Sequence, residues 1–170
     1  MTDNKPNLRW GHINLNVSSL ERSIAFYRKF GFEIFIPAIP YLGVTTEDGH
    51  NVLSEGSTTA LDVPSGTAGR ACIMQLGDSF PKLDLTEFKG LKQADPLTNN
   101  DLGFVRICLG TEDLAKDVER LSADGVEFLS SPQSGHAGLA DIAVCRDPDG
   151  ALIELIQVYP DKWQAVLGGN

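Results

Sequence analysis

The chain repeats itself. Residues 12–35 read HINLNVSSLERSIAFYRKFGFEIF, and residues 106–129 read RICLGTEDLAKDVERLSADGVEFL. The two stretches align without a gap at an offset of 94 residues. Ile13 matches Ile107, Leu15 matches Leu109, Leu20 matches Leu114, Gly31 matches Gly125 and Glu33 matches Glu127. A repeat at fixed offset means two copies of one structural unit. One matched pair differs in kind: His12 in the first copy is Arg106 in the second.

Each copy opens on a strand. Ile13, Leu15 and Val17 alternate with His12, Asn14 and Asn16, the period of a half-buried strand, and Ile107 and Leu109 alternate with Arg106, Cys108 and Gly110. A helix follows. Ser18 with Glu21 predicts a capping box, and Thr111 before Glu112 and Asp113 predicts an acidic first turn. Leu20, Ile24 and Tyr27, like Leu114, Val118 and Leu121, have the spacing of one helical face. Gly31 and Gly125 stop the helices, and a second strand is expected directly after each. Residues 71–76 and 82–88 predict two more strands around the turn GDSFP. Residues 139–145 and 151–158 predict their counterparts around DPDG. Each copy is therefore βαβββ. Matching Asp84 to Glu154 lowers the offset to 70, so the first copy carries about 24 extra residues, within 37–69. That Gly-, Thr- and Ser-rich stretch has no clear period, and long irregular segments are usually functional or mobile.

Composition limits the partners. A net charge of −9 argues against a nucleic-acid backbone and is compatible with a cationic ligand. No stretch approaches the roughly 18 apolar residues of a membrane span. MTDNKPNLRW has no signal-peptide character, and Cys72, Cys108 and Cys145 are odd in number and far apart. A cytoplasmic location with reduced thiols is the expectation, and ordinary strand residues the simplest role for all three cysteines.

Strand alternation sorts the side chains by face. If Ile13 and Leu15 face the helix layer, then Trp10, His12, Asn14 and Asn16 face the other way. In the second copy Phe104, Arg106 and Cys108 do so. In KLDLTEF, Leu83 and Leu85 belong to the core, which leaves Asp84 and Thr86 beside His12; in ALIELIQ, Glu154 faces with Arg106. The non-helix face thus carries His12, Asp84, Arg106 and Glu154, two from each copy.

With GHINLNVSSLERSIAFYRKFGFE at the start, the second copy from Val105 to Leu129 and DPDGALIEL near the end, the chain resembles the vicinal oxygen chelate superfamily. That group includes glyoxalase I, methylmalonyl-CoA epimerase, extradiol dioxygenases and the bleomycin- and fosfomycin-resistance proteins. The resemblance implies an α+β fold in which two βαβββ modules form an open barrel-like cup around a small-molecule ligand. It implies a single domain over 1–170: a first module at 8–88 with the insertion at about 37–69, a linker at 89–102, a second module at 103–158 and a tail at 159–170. The tail is expected to form a short helix ending in GGN. A homodimer is likewise implied.

In metal-dependent members the cup holds a divalent ion. By position, His12 and Glu154 match ligands and Asp84 stands where others have Glu, Gln or His. Arg106 stands where metal enzymes have a second His, and a guanidinium has no lone pair to give. Two readings stay open. In one, His12, Asp84 and Glu154 still hold a metal. In the other, favoured, no cofactor is bound and Arg106 neutralises a carboxylate; His12 then acts as general base and Arg106 steadies an oxyanion, which suits proton abstraction next to a carbonyl by a lyase or isomerase. A non-catalytic, drug-sequestering binder and a metal-dependent dioxygenase are the alternatives. Trp10, Asn14, Phe104, Cys108, Tyr41 from the insertion and His136 in SSPQSGHAGLAD are candidate substrate contacts. His50 is a weaker one. Asp141 replaces an Arg that many members carry six residues before DPDG.

Overall fold

The computed structural model describes residues 8–92 and 94–167. The chain divides into two compact units, with the boundary after Lys92. The terminal GGN lies outside the described residues.

The first unit runs β1 (His12–Asn16), α1 (Leu20–Lys29), β2 (Phe32–Ile36), β3 (Ala38–Ile39), β4 (Val44–Thr45), β5 (Asn51–Val52), α2 (Glu55–Leu61), β6 (Ala68–Leu76) and β7 (Lys82–Phe88). Its main sheet has the order β1-β7-β6-β2, with β5 added to β6. The second unit runs β8 (Arg106–Gly110), α3 (Leu114–Ala123), β9 (Gln133–Ser134), β10 (Ala140–Arg146), β11 (Leu152–Val158) and α4 (Pro160–Leu167), with the order β8-β11-β10-β9. In each unit the first and last strands pair in parallel and the others antiparallel. The repeat read from the sequence is a repeat of topology.

The copies share a device that the sequence does not display. The N-terminus of α1 is held from the last strand of its unit: Glu87 Oε2 accepts the Leu20 N–H at 2.7 Å. In the second unit Gln157 Oε1 accepts the Leu114 N–H at 3.0 Å. Helices begin with unpaired N–H groups, and a parallel strand ending beside the helix start is placed to meet one of them. The local caps sit one and two residues later than the sequence suggests. Ser19, in an extended conformation, accepts from the Arg22 N–H, while Ser18 accepts from the Arg22 guanidinium at 2.7 Å. Glu21 pairs with Arg70 from β6. Asp113, not Thr111, caps α3 through the Lys116 N–H. Ser19 and Asp113 are themselves matched by the offset of 94.

Gly31 and Gly125 follow α1 and α3 with φ of 91° and 81°, where a side chain would strain the turn. The buried stripe of α1 is Leu20, Ser23, Phe26 and Tyr27; Ile24 sits at its margin. The second strand expected directly after Gly125 reduces to a single bridge, Phe128 to Cys145, before the short β9. Where β2 reads FEIFI, this segment runs into Ser130, Ser131 and Pro132, and proline has no N–H for a ladder.

The insertion is ordered. Ile39, Leu42, Val44 and Leu53 form a small core with Ala71 of β6, and Ile73 and Phe88 pack against it. Ala71 and Ile73 are the ladder partners of Thr86 and Asp84. Direct partners share a face of the sheet, so the insertion covers the face that carries Asp84.

Candidate functional site

Two polar clusters stand on the non-helix faces, one in each unit. In the first, β1 and β7 run parallel with His12 opposite Lys82, Asn14 opposite Asp84 and Asn16 opposite Thr86. His12 Nε2 lies 3.6 Å from Asp84 Oδ2, within ion-pair reach but longer than a hydrogen bond. Asp84 Oδ1 accepts from the Thr86 hydroxyl at 2.9 Å, and Thr86 Oγ1 accepts from Asn14 Nδ2 at 3.2 Å. Asp84 is only 2% exposed. Burial pushes its carboxyl above the usual range, against the opposing pull of Thr86, His12 and Asn14. A buried carboxylate beside a half-exposed imidazole is a base-and-orienter arrangement, with one carboxylate oxygen fixed and the other turned to the ring.

Tyr41 lies on the insertion and is largely exposed. Partial burial raises its phenol's pKa, and the charge of Asp84 raises it further. The insertion therefore brings Tyr41 into the field of Asp84.

In the second unit Arg106 Nε donates to Glu154 Oε2, and Arg106 Nη1 donates to Asn99 Oδ1 at 3.0 Å. Cys108 is the ladder partner of Glu154; burial raises its thiol pKa, and the Glu154 charge adds to the effect. Trp10 and Phe104 are 73% and 66% exposed, and His136 stands exposed in the turn His136–Gly138. Neither cluster includes these three. Asp141 accepts from the Tyr159 hydroxyl at 2.6 Å. His50 contacts the helix-side network, with Nε2 3.0 Å from Glu87 Oε1.

Two participants escaped the sequence reading. Asn99 sits in a segment that reads as linker. Lys82 is in phase with Asp84 and Thr86 in KLDLTEF, so alternation alone could have placed it on the site face.

The donor sets do not fit a tight divalent-metal site within either unit. Among the described residues no three His, Cys, Asp or Glu side chains converge as ligands. The decisive chemistry is at Glu154, whose charge is already met by a guanidinium that cannot ligate. His12 and Asp84 make two donors. Among the described residues no helix is long and apolar enough to cross a membrane.

Comparison with known proteins supports the architecture. The chain is 29% identical to the lactoylglutathione lyase of Arabidopsis thaliana over 161 residues, covering 92% of this chain and 46% of that protein. It is 29% identical to glyoxalase I of Saccharomyces cerevisiae over 170 residues, covering 92% and 49%. The chain thus spans about half the length of the curated relatives it matches. A glyoxalase family protein from Bacillus cereus shares its fold, with a TM-score of 0.67, 22% identity and coverage of 93% of this chain and 98% of the other. The family model described as Glyoxalase/Bleomycin resistance protein/Dioxygenase superfamily matches residues 9–155, and the chain belongs to that family.

Proposed function

We propose that the chain is a lyase of the glyoxalase type, taking a proton from carbon next to a carbonyl. The observation that carries this reading is the pairing of His12 with the buried Asp84, whose second oxygen is fixed by Thr86. His12 is the base. Asp84 orients the imidazole and balances the imidazolium formed when the proton arrives. Thr86 and Asn14 keep Asp84 in place. In the second unit the Arg106 guanidinium is turned to the Glu154 carboxylate. The lyase name of the Arabidopsis relative supports the reaction class. Cytoplasmic location, a homodimer and a small-molecule ligand complete the proposal.

One observation favours a second reading, a binder without chemistry. Arg106 and Glu154 already satisfy each other, as an ion pair that only lines a ligand site would. Solvent deuterium exchange separates the two. With a series of small α-oxoaldehydes and α-ketoacids, catalysed exchange at the carbon next to the carbonyl, lost in His12→Ala, supports the lyase. Tight binding of one of them without exchange supports the binder. Elemental analysis of the purified protein tests the metal-free form: stoichiometric metal that disappears in His12→Ala sinks it.

A further inference from the structure

The first unit buries a lysine that its fold does not need. Lys82 opens β7 and is 8% exposed. It is the ladder partner of His12 and shares the sheet face of Asp84. Its Nζ donates to Gln75 Oε1 at 2.8 Å and to the Ser79 carbonyl at 3.1 Å. Both acceptors are neutral. Among the described residues no carboxylate comes within ion-pair reach of Nζ, although the chain carries a net charge of −9. Two of the three ammonium N–H groups are used, and the third has no acceptor among the described residues.

Two aromatic rings flank the ammonium. Nζ lies 4.9 Å from the centroid of Phe35 and 4.8 Å from that of Phe80. Phe35 gets there by a bulge: Ile34 pairs with Met74 and Ile36 with Ile73, so β2 has one residue more than its partner. Such an extra residue re-aims a side chain. Phe35 and Phe80 are themselves half-exposed or more.

The second copy shows that packing alone does not call for this arrangement. At the offset of 70, Lys82 corresponds to Leu152, which is 1% exposed in the same place at the start of the last strand. A leucine fills that position at no electrostatic cost. A buried ammonium with neutral partners gives up hydration that no countercharge returns.

We propose that Lys82 is the anchor for an oxyanion of the ligand, a carboxylate or phosphate attached to an apolar body that lies on Phe35 and Phe80. The third N–H takes the oxyanion, and the ligand supplies the missing countercharge. The remainder of the molecule then lies along the face of His12 and Asp84. This narrows the substrate class to anionic carbonyl compounds, and to that extent it rests on the proposed function.

The test is binding, kept apart from catalysis. Benzoate, benzamide and inorganic phosphate are titrated into the protein, following the Phe35 and Phe80 ring protons by NMR. Benzoate is expected to bind in roughly the millimolar range and to shift both rings, with benzamide at least about tenfold weaker. Phosphate binding as well as benzoate would assign the anchor to oxyanions in general; benzoate alone would assign it to carboxylates, and either supports the proposal. Lys82→Leu, the residue of the second copy, should weaken benzoate at least about tenfold, while Lys82→Arg keeps it within about threefold. Should Lys82→Leu not fold, the Lys82→Arg result and the benzamide comparison still decide. Equal binding of benzamide, benzoate affinity unchanged in Lys82→Leu, or no binding of either anion at about 20 mM would overturn the proposal. Lys82-dependent binding that persists in His12→Ala, where exchange is absent even in the wild type, would keep the anchor and reject the lyase.

Discussion

Replacing Glu87 by Gln isolates a charge from the cap it provides. The Glu87 carboxylate does three things: it accepts the Leu20 N–H, accepts Arg70 Nη2 at 2.9 Å and meets His50 at 3.0 Å. The second copy performs the first task with Gln157, so an amide is a competent cap. What Glu87→Gln removes is the charge. The Arg70 and Glu87 side chains are both nearly buried, and a charge-assisted bond in such a place contributes about 1.5–3 kcal/mol. The favourable position of a negative charge at a helix start adds about 0.3–1 kcal/mol. Against this, Glu21 still pairs with Arg70 at 2.6 Å, and burying an amide costs less than burying a carboxylate. The net expected loss is about 2 kcal/mol, or a Tm lower by roughly 4–8 °C for a chain of this length.

The pH dependence gives the sign. Burial acts to raise the Glu87 pKa, but Leu20, Arg70 and His50 together hold the carboxyl below the usual range. Its folded value lies below its unfolded one. The contribution is therefore present above the ordinary carboxylate range and is lost as pH falls through the folded value. Urea unfolding of wild type and variant from neutral pH down into the acid range is the assay. The gap between them should be full at pH 7 and close as acid protonates Glu87. A loss below about 0.5 kcal/mol at pH 7, or a gap that stays constant in acid, refutes the reasoning.

Other substitutions test the site and its supports. Asp84→Asn should abolish His12-dependent exchange without lowering stability at pH 7. Burial raises the Asp84 pKa, so its stabilising contribution belongs to low pH and fades as pH rises through the raised value; an urea curve for the variant that falls well below wild type at pH 7 would contradict this. Leu42→Ala should cost about 2–4 kcal/mol, because Leu42 belongs to the small core of the insertion, and native-state hydrogen exchange should show that loss in α2 and β6; a change under about 0.5 kcal/mol would mean the insertion packs on nothing. In the native protein, thiol titration with a disulfide reagent at pH 8 should modify Cys108 alone. Cys72 and Cys145 are buried, which pushes both thiols up to about 12. Rapid reaction of all three would count against the buried assignment.

How far the sequence reaches depends on the range of the interaction. β7 runs over residues 82–88 as alternation predicts, and β11 begins one residue inside its predicted span. The faces of His12, Asn14, Asp84 and Thr86 follow from the two-residue period, because a strand's own pattern of apolar residues fixes which side meets the core. The pairing of Arg106 with Glu154 was one of the two outcomes left open for the guanidinium. The helix caps shifted by one and two residues, and Glu21 in the first turn of α1 is paired with Arg70, 49 residues away, which no local pattern announces.

The sequence by itself did not determine the elements of the insertion or the loss of the strand after Gly125; it determined the repeat, the opening strand and helix and the last two strands of each copy, and the broken symmetry between His12 and Arg106. Those are properties of local period and of identity at matched positions. Only the tertiary structure decided what covers Asp84, that Tyr41 stands in its field, that Asn99 holds Arg106, and that a bulge in β2 carries Phe35 to Lys82. Apart from the Asn99 contact, seven residues from Arg106 but in a stretch without strand or helix period, these join residues far apart in the chain, so they exist only once each unit has folded.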